Sequence, residues 1–234
     1  HLGAKVYFGD RDHLGYSRNV AIGCAVGPWV VILDADERIQ NAKGLRQYLE
    51  SCHDDAVYIK LAFMDGDKMT LSYHQMRCWR KGTFHYRFRC HEVPVALIAN
   101  PRIAYTEFVW EHRPPPRPHK NEHYLRLLEM DVAENPDEPR PLYYLARQYY
   151  YMGHFQEARR MFLKYLKNPD NNEADAYWHL SRCISDVGNK KRCLYHAIAC
   201  APTRREFYGE LAEILYQEGK YRLALGVLKN ALEI

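Results

Sequence analysis

The sequence predicts two regions of different fold class, an α/β region followed by an all-α region. Three observations predict this order. An apolar run over residues 29–33 ends abruptly in acidic residues, as buried strands of α/β sheets do. A segment with four prolines, residues 112–119, excludes a helix there and is typical of a linker. Beyond it, a pattern of small, aromatic and glycine residues recurs three times.

The composition narrows the class of protein. The chain has 234 residues, of which 47% are hydrophobic and 26% charged, so it is expected to bury a core rather than remain disordered. Its formal net charge of +4 is too mild to indicate a nucleic-acid partner. The seven cysteines include no C-x-x-C pair, which favours reduced thiols in a cytoplasmic protein. No apolar stretch approaches the roughly 20 residues that span a membrane.

The first region begins with α/β elements. Residues 1–9 are predicted to form a short strand, and residues 15–26 a helix that Ser17 caps. Gly27 and the proline after it end this helix. The continuous apolar run over 29–33 predicts a strand that is buried on both faces, as in a parallel sheet.

The rest of the first region predicts a helix and an antiparallel addition to the sheet. The helix covers residues 41–51. Four strand-like segments with turn residues between them follow, over residues 56–64, 68–79, 84–91 and 103–110.

The second region is predicted to be helical throughout. An amphipathic helix over 120–133 precedes the repeats. Gly153, Gly188 and Gly219 are 35 and then 31 residues apart and are expected to turn the chain between paired helices. Small residues at the positions where paired helices approach closely are Ala146, Ala158, Ser181, Cys193, Ala212 and Ala224. This spacing resembles tetratricopeptide repeats of about 34 residues, and a plain helical bundle is the alternative.

Two carboxylates carry the strongest chemical signal. Asp34 and Asp36 lie at positions i and i+2 just past the end of the apolar run, where both can face one hard cation. Mg²⁺ or Mn²⁺ held there would bridge diphosphate oxygens. A solvated acidic turn has the same tripeptide, but charge at the end of a buried strand is costly without a partner.

The surrounding segments resemble family 2 glycosyltransferases of the GT-A type. Residues 16–22 (YSRNVAI) and 27–37 (GPWVVILDADE) are similar to that family's ARN-x-A, GDW and DADE segments, with Ser17 and Pro28 departing from its pattern. Residues 76–82, 91–93 and 110–112 resemble further family segments, and the repeats resemble a subgroup with C-terminal tetratricopeptide repeats.

This resemblance implies a fold and its division. It implies a partial GT-A, Rossmann-like sheet domain over 1–117, followed over 118–234 by a linker helix and about three tetratricopeptide repeats. Family members begin with two further strands and a helix. Residues 1–8 match their third strand, so the nucleotide site is expected to be only half built.

The resemblance also implies roles for single residues. Asp36 is expected to bind the metal, and Asp34 the metal or the ribose, with His112 a further metal or pyrophosphate ligand or an exposed linker histidine. Glu92 is the expected catalytic base, with Glu37 as its competitor and a structural ion pair to a nearby arginine as the alternative.

Four more residues are expected at the nucleotide or its phosphates. Each also has a local alternative, which is helix capping for the two residues in the helix over 15–26 and surface solvation for the two later arginines. The four residues are Arg18, Asn19, Arg77 and Arg80, and an alternative role of Arg18 is to hold the D-x-D loop through a bidentate pair.

Two classes of function follow. The first is a metal-dependent, inverting transferase that moves a sugar from a nucleotide-diphosphate sugar, UDP-sugar first, to a peptide, protein or glycan acceptor. The second is a non-catalytic interaction scaffold with a degenerate transferase domain, whose repeats bind a protein partner or a second copy of the chain. A third class, a metal-dependent phosphohydrolase, needs further acidic or histidine ligands at neighbouring strand ends, and this sequence has too few of them.

Overall fold

The computed structural model describes residues 9–114 and 121–234. The chain divides into two compact units, residues 1–119 and 120–234. Residues 1–8 of the predicted first strand and the domain boundary predicted after residue 117 lie outside the described residues. No helix in the described ranges is long and apolar enough to cross a membrane.

The described part of the first unit contains two helices and seven strands. They are α1 (Leu14–Cys24), β1 (Trp29–Val31), β2 (Glu37–Ile39), α2 (Ala42–Ser51), β3 (Ala56–Asp65), β4 (Lys68–Arg80), β5 (Phe84–Arg87), β6 (Val93–Ala96) and β7 (Ile103–His112). Within the described residues, five strands form a mixed sheet in the order β1-β4-β3-β7-β2, and β5 pairs with β6. In the larger sheet only β3 and β7 are parallel.

The predicted parallel, Rossmann-like sheet is wrong for the described residues. The apolar run forms a strand of three residues, β1, which pairs antiparallel with β4 at one end of the sheet order. Val30 is buried, but Val31 is 41% and Leu33 48% exposed. Because β1 is short and, among the described residues, has a neighbouring strand on one side only, its apolar residues are not covered on both faces as the run suggested.

The sheet buries its two faces against different elements. On one face, Leu45 and Leu49 of α2 pack with Val57, Ile59 and Trp110 of the sheet. On the other face, Trp79 of β4 packs with Phe84 and Tyr86 of β5. The predicted helix over 41–51 and the strands over 56–64, 68–79 and 103–110 are confirmed. Their apolar residues recur at the spacing that this burial requires.

The start of α1 and the region after β5 differ from the prediction. His13 caps α1, accepting a hydrogen bond at its ring nitrogen from the Tyr16 N–H, whereas the Ser17 hydroxyl donates to the carbonyl of Asp10. The strand predicted over 84–91 ends at Arg87, and Phe88 and His91 then adopt positive φ values of 74° and 49°. The chain thereby turns into β6, which the sequence analysis did not predict.

The described part of the second unit contains seven consecutive helices. They are α3 (Asn121–Glu134), α4 (Pro139–Tyr151), α5 (Phe155–Tyr165), α6 (Glu173–Arg182), α7 (Val187–Cys200), α8 (Arg205–Gln217) and α9 (Tyr221–Leu232). Helices α4 and α5, α6 and α7, and α8 and α9 pack as three consecutive pairs. All six small residues predicted at the crossings are buried, which confirms their role in close helix packing.

The predicted glycine turns are correct in two of the three repeats. Gly153 and Gly219 have positive φ values of 80° and 75° between paired helices, a conformation that glycine adopts without a Cβ penalty. Gly188 instead lies in the first turn of α7, which Asp186 caps through its carboxylate. The second pair is joined by segment 183–186, which is one residue longer than segments 152–154 and 218–220 and contains no residue with a positive φ.

Candidate functional site

Several residues predicted for the site lie together in an ion-pair network. Arg18 of α1 donates from Nη2 to Asp34 Oδ1 at 2.8 Å and from Nε to Glu92 Oε1 at 2.6 Å. Arg77 of β4 lies 3.3 Å from Asp34 Oδ2 and also pairs with Glu37. The turn between β1 and β2 therefore places Asp34 between two arginines from different elements, and Glu37, the first residue of β2, pairs with Arg77 alone of the two.

Burial and pairing together set the electrostatics of this network. The Arg77 side chain is 6% and the Glu37 side chain 0% exposed. Burial raises the pKa of Glu37 above its usual value. Burial acts in the same direction on Asp34, but Arg18 and Arg77 outweigh it, so the pKa of Asp34 lies below its usual value. The arginines thus keep Asp34 ionised and are themselves engaged by protein carboxylates.

Glu92 lies in a structural ion pair, as the alternative to catalysis proposed. Its partner is Arg18 rather than one of the arginines close to it in sequence, because α1 packs beside β5. The role of Glu92 as a catalytic base stays a prediction, as does the competing assignment to Glu37.

His112 and Asp36 lie at the edge of the same network. Strand β2 pairs with the end of β7, so that Glu37 stands opposite His112. The Nδ1 atom of His112 lies 3.7 Å from Asp36 Oδ1 and 3.8 Å from Glu37 Oε1. In the described part of the chain, no group of three or more His, Cys, Asp or Glu residues is suited to hold a metal ion, which does not support a metal-binding D-x-D motif. The individual assignments of Asp34, Asp36 and His112 as metal ligands stay predictions.

Asn19 and Arg80 make local contacts away from the network. The Asn19 side chain donates to the Tyr86 carbonyl at 2.8 Å and accepts from the Tyr86 N–H at 2.7 Å, which joins α1 to β5. Arg80 donates to the carbonyls of Cys52 and Asp54 and stacks over the Trp29 ring at 4.9 Å. Both side chains therefore hold neighbouring segments together, and their nucleotide contacts stay predictions.

The second unit carries a cluster that the sequence analysis did not single out. The Arg147 guanidinium of α4 lies 5.5 Å from the ring centres of both Tyr143 and Tyr151, and 5.8 Å from that of Tyr144. It donates to the Tyr151 hydroxyl at 3.1 Å. Within the described residues no carboxylate lies in ion-pair distance of Arg147, and its Nε atom is buried without a hydrogen-bond partner.

The cluster continues across the first helices of the next two repeats. Arg182 of α6 stacks over the Trp178 ring at 3.9 Å and pairs with Glu210 of α8. It also lies 3.5 Å from the Tyr150 hydroxyl of α4. The connected side chains on α4, α6 and α8, here called the first-helix surface, are Arg147, Tyr150, Tyr151, Arg182 and Glu210.

A sequence signal for this surface exists. Arg147 has tyrosines four residues before and four residues after it, the spacing that places side chains on one face of a helix. Periodicity alone predicts helix packing for the tyrosines of this segment, and it does not separate a packed ring from one beside a half-buried cation.

Comparisons with known proteins found similarity to solved structures alone. No family model matches the chain, and no curated protein matches it. Among solved structures, it is similar to a crystal structure of MamA, with 20% identity over 49% of this chain and 68% of that one, and a TM-score of 0.45. It is also similar to PilF of Pseudomonas aeruginosa, with 14% identity over 48% of this chain and 52% of that one, and a TM-score of 0.46.

These findings correct the resemblance to family 2 glycosyltransferases. The similar structures are tetratricopeptide-repeat proteins and not glycosyltransferases, and the described sheet lacks the predicted Rossmann-like order. The transferase activity that this resemblance implied is therefore contradicted. The second interpretation, a scaffold built on helical repeats, is not contradicted by these comparisons and stays a proposal. The expectation of Mg²⁺ or Mn²⁺ and of a UDP-sugar is tested by none of them and stays a prediction.

Proposed function

We propose that this chain is a protein-interaction scaffold that binds an acidic segment of a partner protein on the first-helix surface. Stacked helix pairs build extended surfaces of this kind, because each pair contacts only its neighbours and leaves one side of its first helix open. The helix pairs α4/α5, α6/α7 and α8/α9 supply that architecture.

The observation that carries the proposal is that Arg147 has no ion-pair partner among the described residues. Its neighbour on the same surface is neutralised, since Arg182 pairs with Glu210. Arg204, at the start of α8, likewise pairs with Asp175 at 2.6 Å. Arg147 has three tyrosine rings around it and no carboxylate among the described residues. A partner carboxylate would therefore pair with a cation that is already oriented and partly desolvated.

The tyrosines of the first-helix surface indicate which side chains the partner segment carries beside its carboxylate. Tyr151 is exposed and Tyr150 half-buried, and both lie beside Arg147 or Arg182. Tyrosine and arginine are the residue types most often found at the energetic centres of protein interfaces. We infer a partner segment with a glutamate or aspartate next to an apolar or aromatic side chain that lies on these rings.

The test uses an array of synthetic extended peptides in which Asp or Glu is paired with Leu, Phe or Tyr, together with the same peptides carrying Asn or Gln. We expect the acidic peptides to bind the full chain and the amide versions to bind more weakly. Arg147→Ala should weaken binding by about tenfold or more, since a charge-assisted contact contributes roughly 1.5–3 kcal/mol.

Two controls make the result specific. Arg222→Ala removes an exposed arginine from α9, outside this surface, and should leave binding unchanged. Melting curves of both variants show whether the fold is intact. Equal binding of acidic and amide peptides, or equal binding by Arg147→Ala, would contradict the proposal.

A further inference from the structure

A groove separate from the first-helix surface lies in the second unit, on helices other than α4 and α8. It has a volume of about 350 Å³ and is formed by α5 and α7 together with α6 and the residue Ile184 that follows it. Its apolar lining comes from Leu163 and Leu166 on one side, and from Leu180 and Ile184 on the other. Leu163 is 48% exposed, so part of this apolar surface faces solvent.

Two arginines from different helices line the groove. Arg159 belongs to α5 and Arg192 to α7, and both side chains are exposed. Neither guanidinium lies within ion-pair distance of a carboxylate in the described part of the chain. By contrast, Lys191, next to Arg192 in sequence, pairs with Glu218. The groove thus combines an apolar lining with two cations that the protein itself does not neutralise.

A flat aromatic pair bounds the groove on the α6–α7 side. The rings of Tyr177 and His196 stack with their centres 4.8 Å apart and their planes at 17°. Both residues line the groove, and Asn189 adds a polar side chain on α7. The lining of the groove therefore includes aromatic and polar side chains beside its apolar residues.

We propose that this groove binds an acidic amphipathic helix of a partner protein. Leucine-sized side chains from one face of that helix would enter the apolar lining, as amphipathic helices do when they bind in grooves. Its glutamates, which flank that apolar face, would pair with Arg159 of α5 and Arg192 of α7. Charge complementarity selects this occupant, because two unpaired arginines beside an apolar lining favour acidic over basic or uncharged segments. The site uses none of the residues of the first-helix surface and stands independently of the function proposed for it.

The probe is a pair of fluorescein-labelled synthetic helices with identical leucine positions, one with glutamate and one with lysine at the flanking positions. Binding to the full chain is followed by fluorescence anisotropy. We expect saturable binding of the glutamate helix, weakened about tenfold by the double variant Arg159→Glu/Arg192→Glu and by raised salt. The same variant should gain binding of the lysine helix, which mere loss of structure would not produce.

The matched control reverses the same number of charges on the same two helices. Arg160→Glu/Lys190→Glu changes neighbours of the groove arginines that do not line it, and binding should be unaffected. Arg147→Ala should also leave the glutamate helix bound, which separates this site from the first-helix surface.

Three results would overturn the proposal. They are no saturable binding of the glutamate helix, equal loss in the control variant, or loss in Arg147→Ala with binding retained in Arg159→Glu/Arg192→Glu. Binding of the full chain to vesicles of anionic phospholipid that depends on Arg159 and Arg192, without binding of the glutamate helix, would assign the groove to a membrane surface instead.

Discussion

Arg77 shows how single residues in the first unit depend on one another. Its guanidinium is almost fully buried, pairs with Glu37 and Asp34, and lies 5.8 Å from the centre of the Trp110 ring. A buried ion pair contributes little net stability compared with an apolar replacement of both partners. Removing one partner alone, however, leaves the other as an uncompensated buried charge. Glu37 has no exposed side-chain surface, so its carboxylate would be the buried charge left without a partner.

We expect Arg77→Met to lower the free energy of unfolding by about 3–5 kcal/mol, because it leaves the Glu37 carboxylate buried without its cation. Urea unfolding followed by circular dichroism measures the change. Arg46→Ala is the control, since its ion pair with Glu50 is exposed and should contribute about 0.5 kcal/mol or less. A loss in Arg77→Met no larger than in the control would show that the network does not depend on this cation.

At the scale of elements, the turns between paired helices depend on backbone conformation and not on contacts. Gly153 joins α4 to α5 with a φ of 80°, and a Cβ at this position would have no heavy atom within 4 Å. Gly209 lies within α8 in equally open space, but with helical φ. The two glycines therefore separate the effect of conformation from the effect of space.

We expect opposite results from the same substitution at these two positions. Gly153→Ala should destabilise the helical unit by about 1–2 kcal/mol, because an L-residue pays that amount in the left-handed region. Gly209→Ala should stabilise it by about 0.5–1 kcal/mol, because alanine has the higher helix propensity. Thermal unfolding of the two variants gives both signs, and destabilisation by Gly209→Ala would contradict this account.

At the scale of the whole molecule, stability in the second unit is expected to vary along the array. Each pair packs on its neighbours, so an internal helix has partners on two sides. In the described array, α9 packs mainly on α8, and only Ala224 and Ala231 of α9 are buried. Its leucines 223, 225, 228 and 232 are exposed, so the last helix is held by few apolar contacts.

Amide hydrogen exchange should reveal this gradient. We expect the amides of α9 to exchange faster than those of α6 and α7, because local opening of the last helix exposes little buried surface. Mass spectrometry of peptides from the full chain would measure the difference. Equal protection of α6 and α9 would show that another surface covers α9.

The sequence predicted most helices and long strands because their evidence is local. The spacing of apolar residues predicted α2, and the spacing of small residues and glycines predicted the six helices from α4 to α9. It also named Arg18, Asp34, Arg77 and Glu92 together as site residues, and the structure places them in one network. It did not establish what that network does.

Tertiary structure decided the features that depend on distant partners. Whether the apolar run of β1 lies inside a parallel sheet or at an antiparallel edge depends on which strands pair with it, and residues 29–33 contain no information on that choice. The same holds for Glu92, which pairs with Arg18 across 74 positions of the chain, and for Arg147, which no described carboxylate reaches. The sequence by itself determined the elements through local periodicity, whereas charge pairing and strand order depend on contacts between residues far apart in the chain, which only the folded molecule specifies.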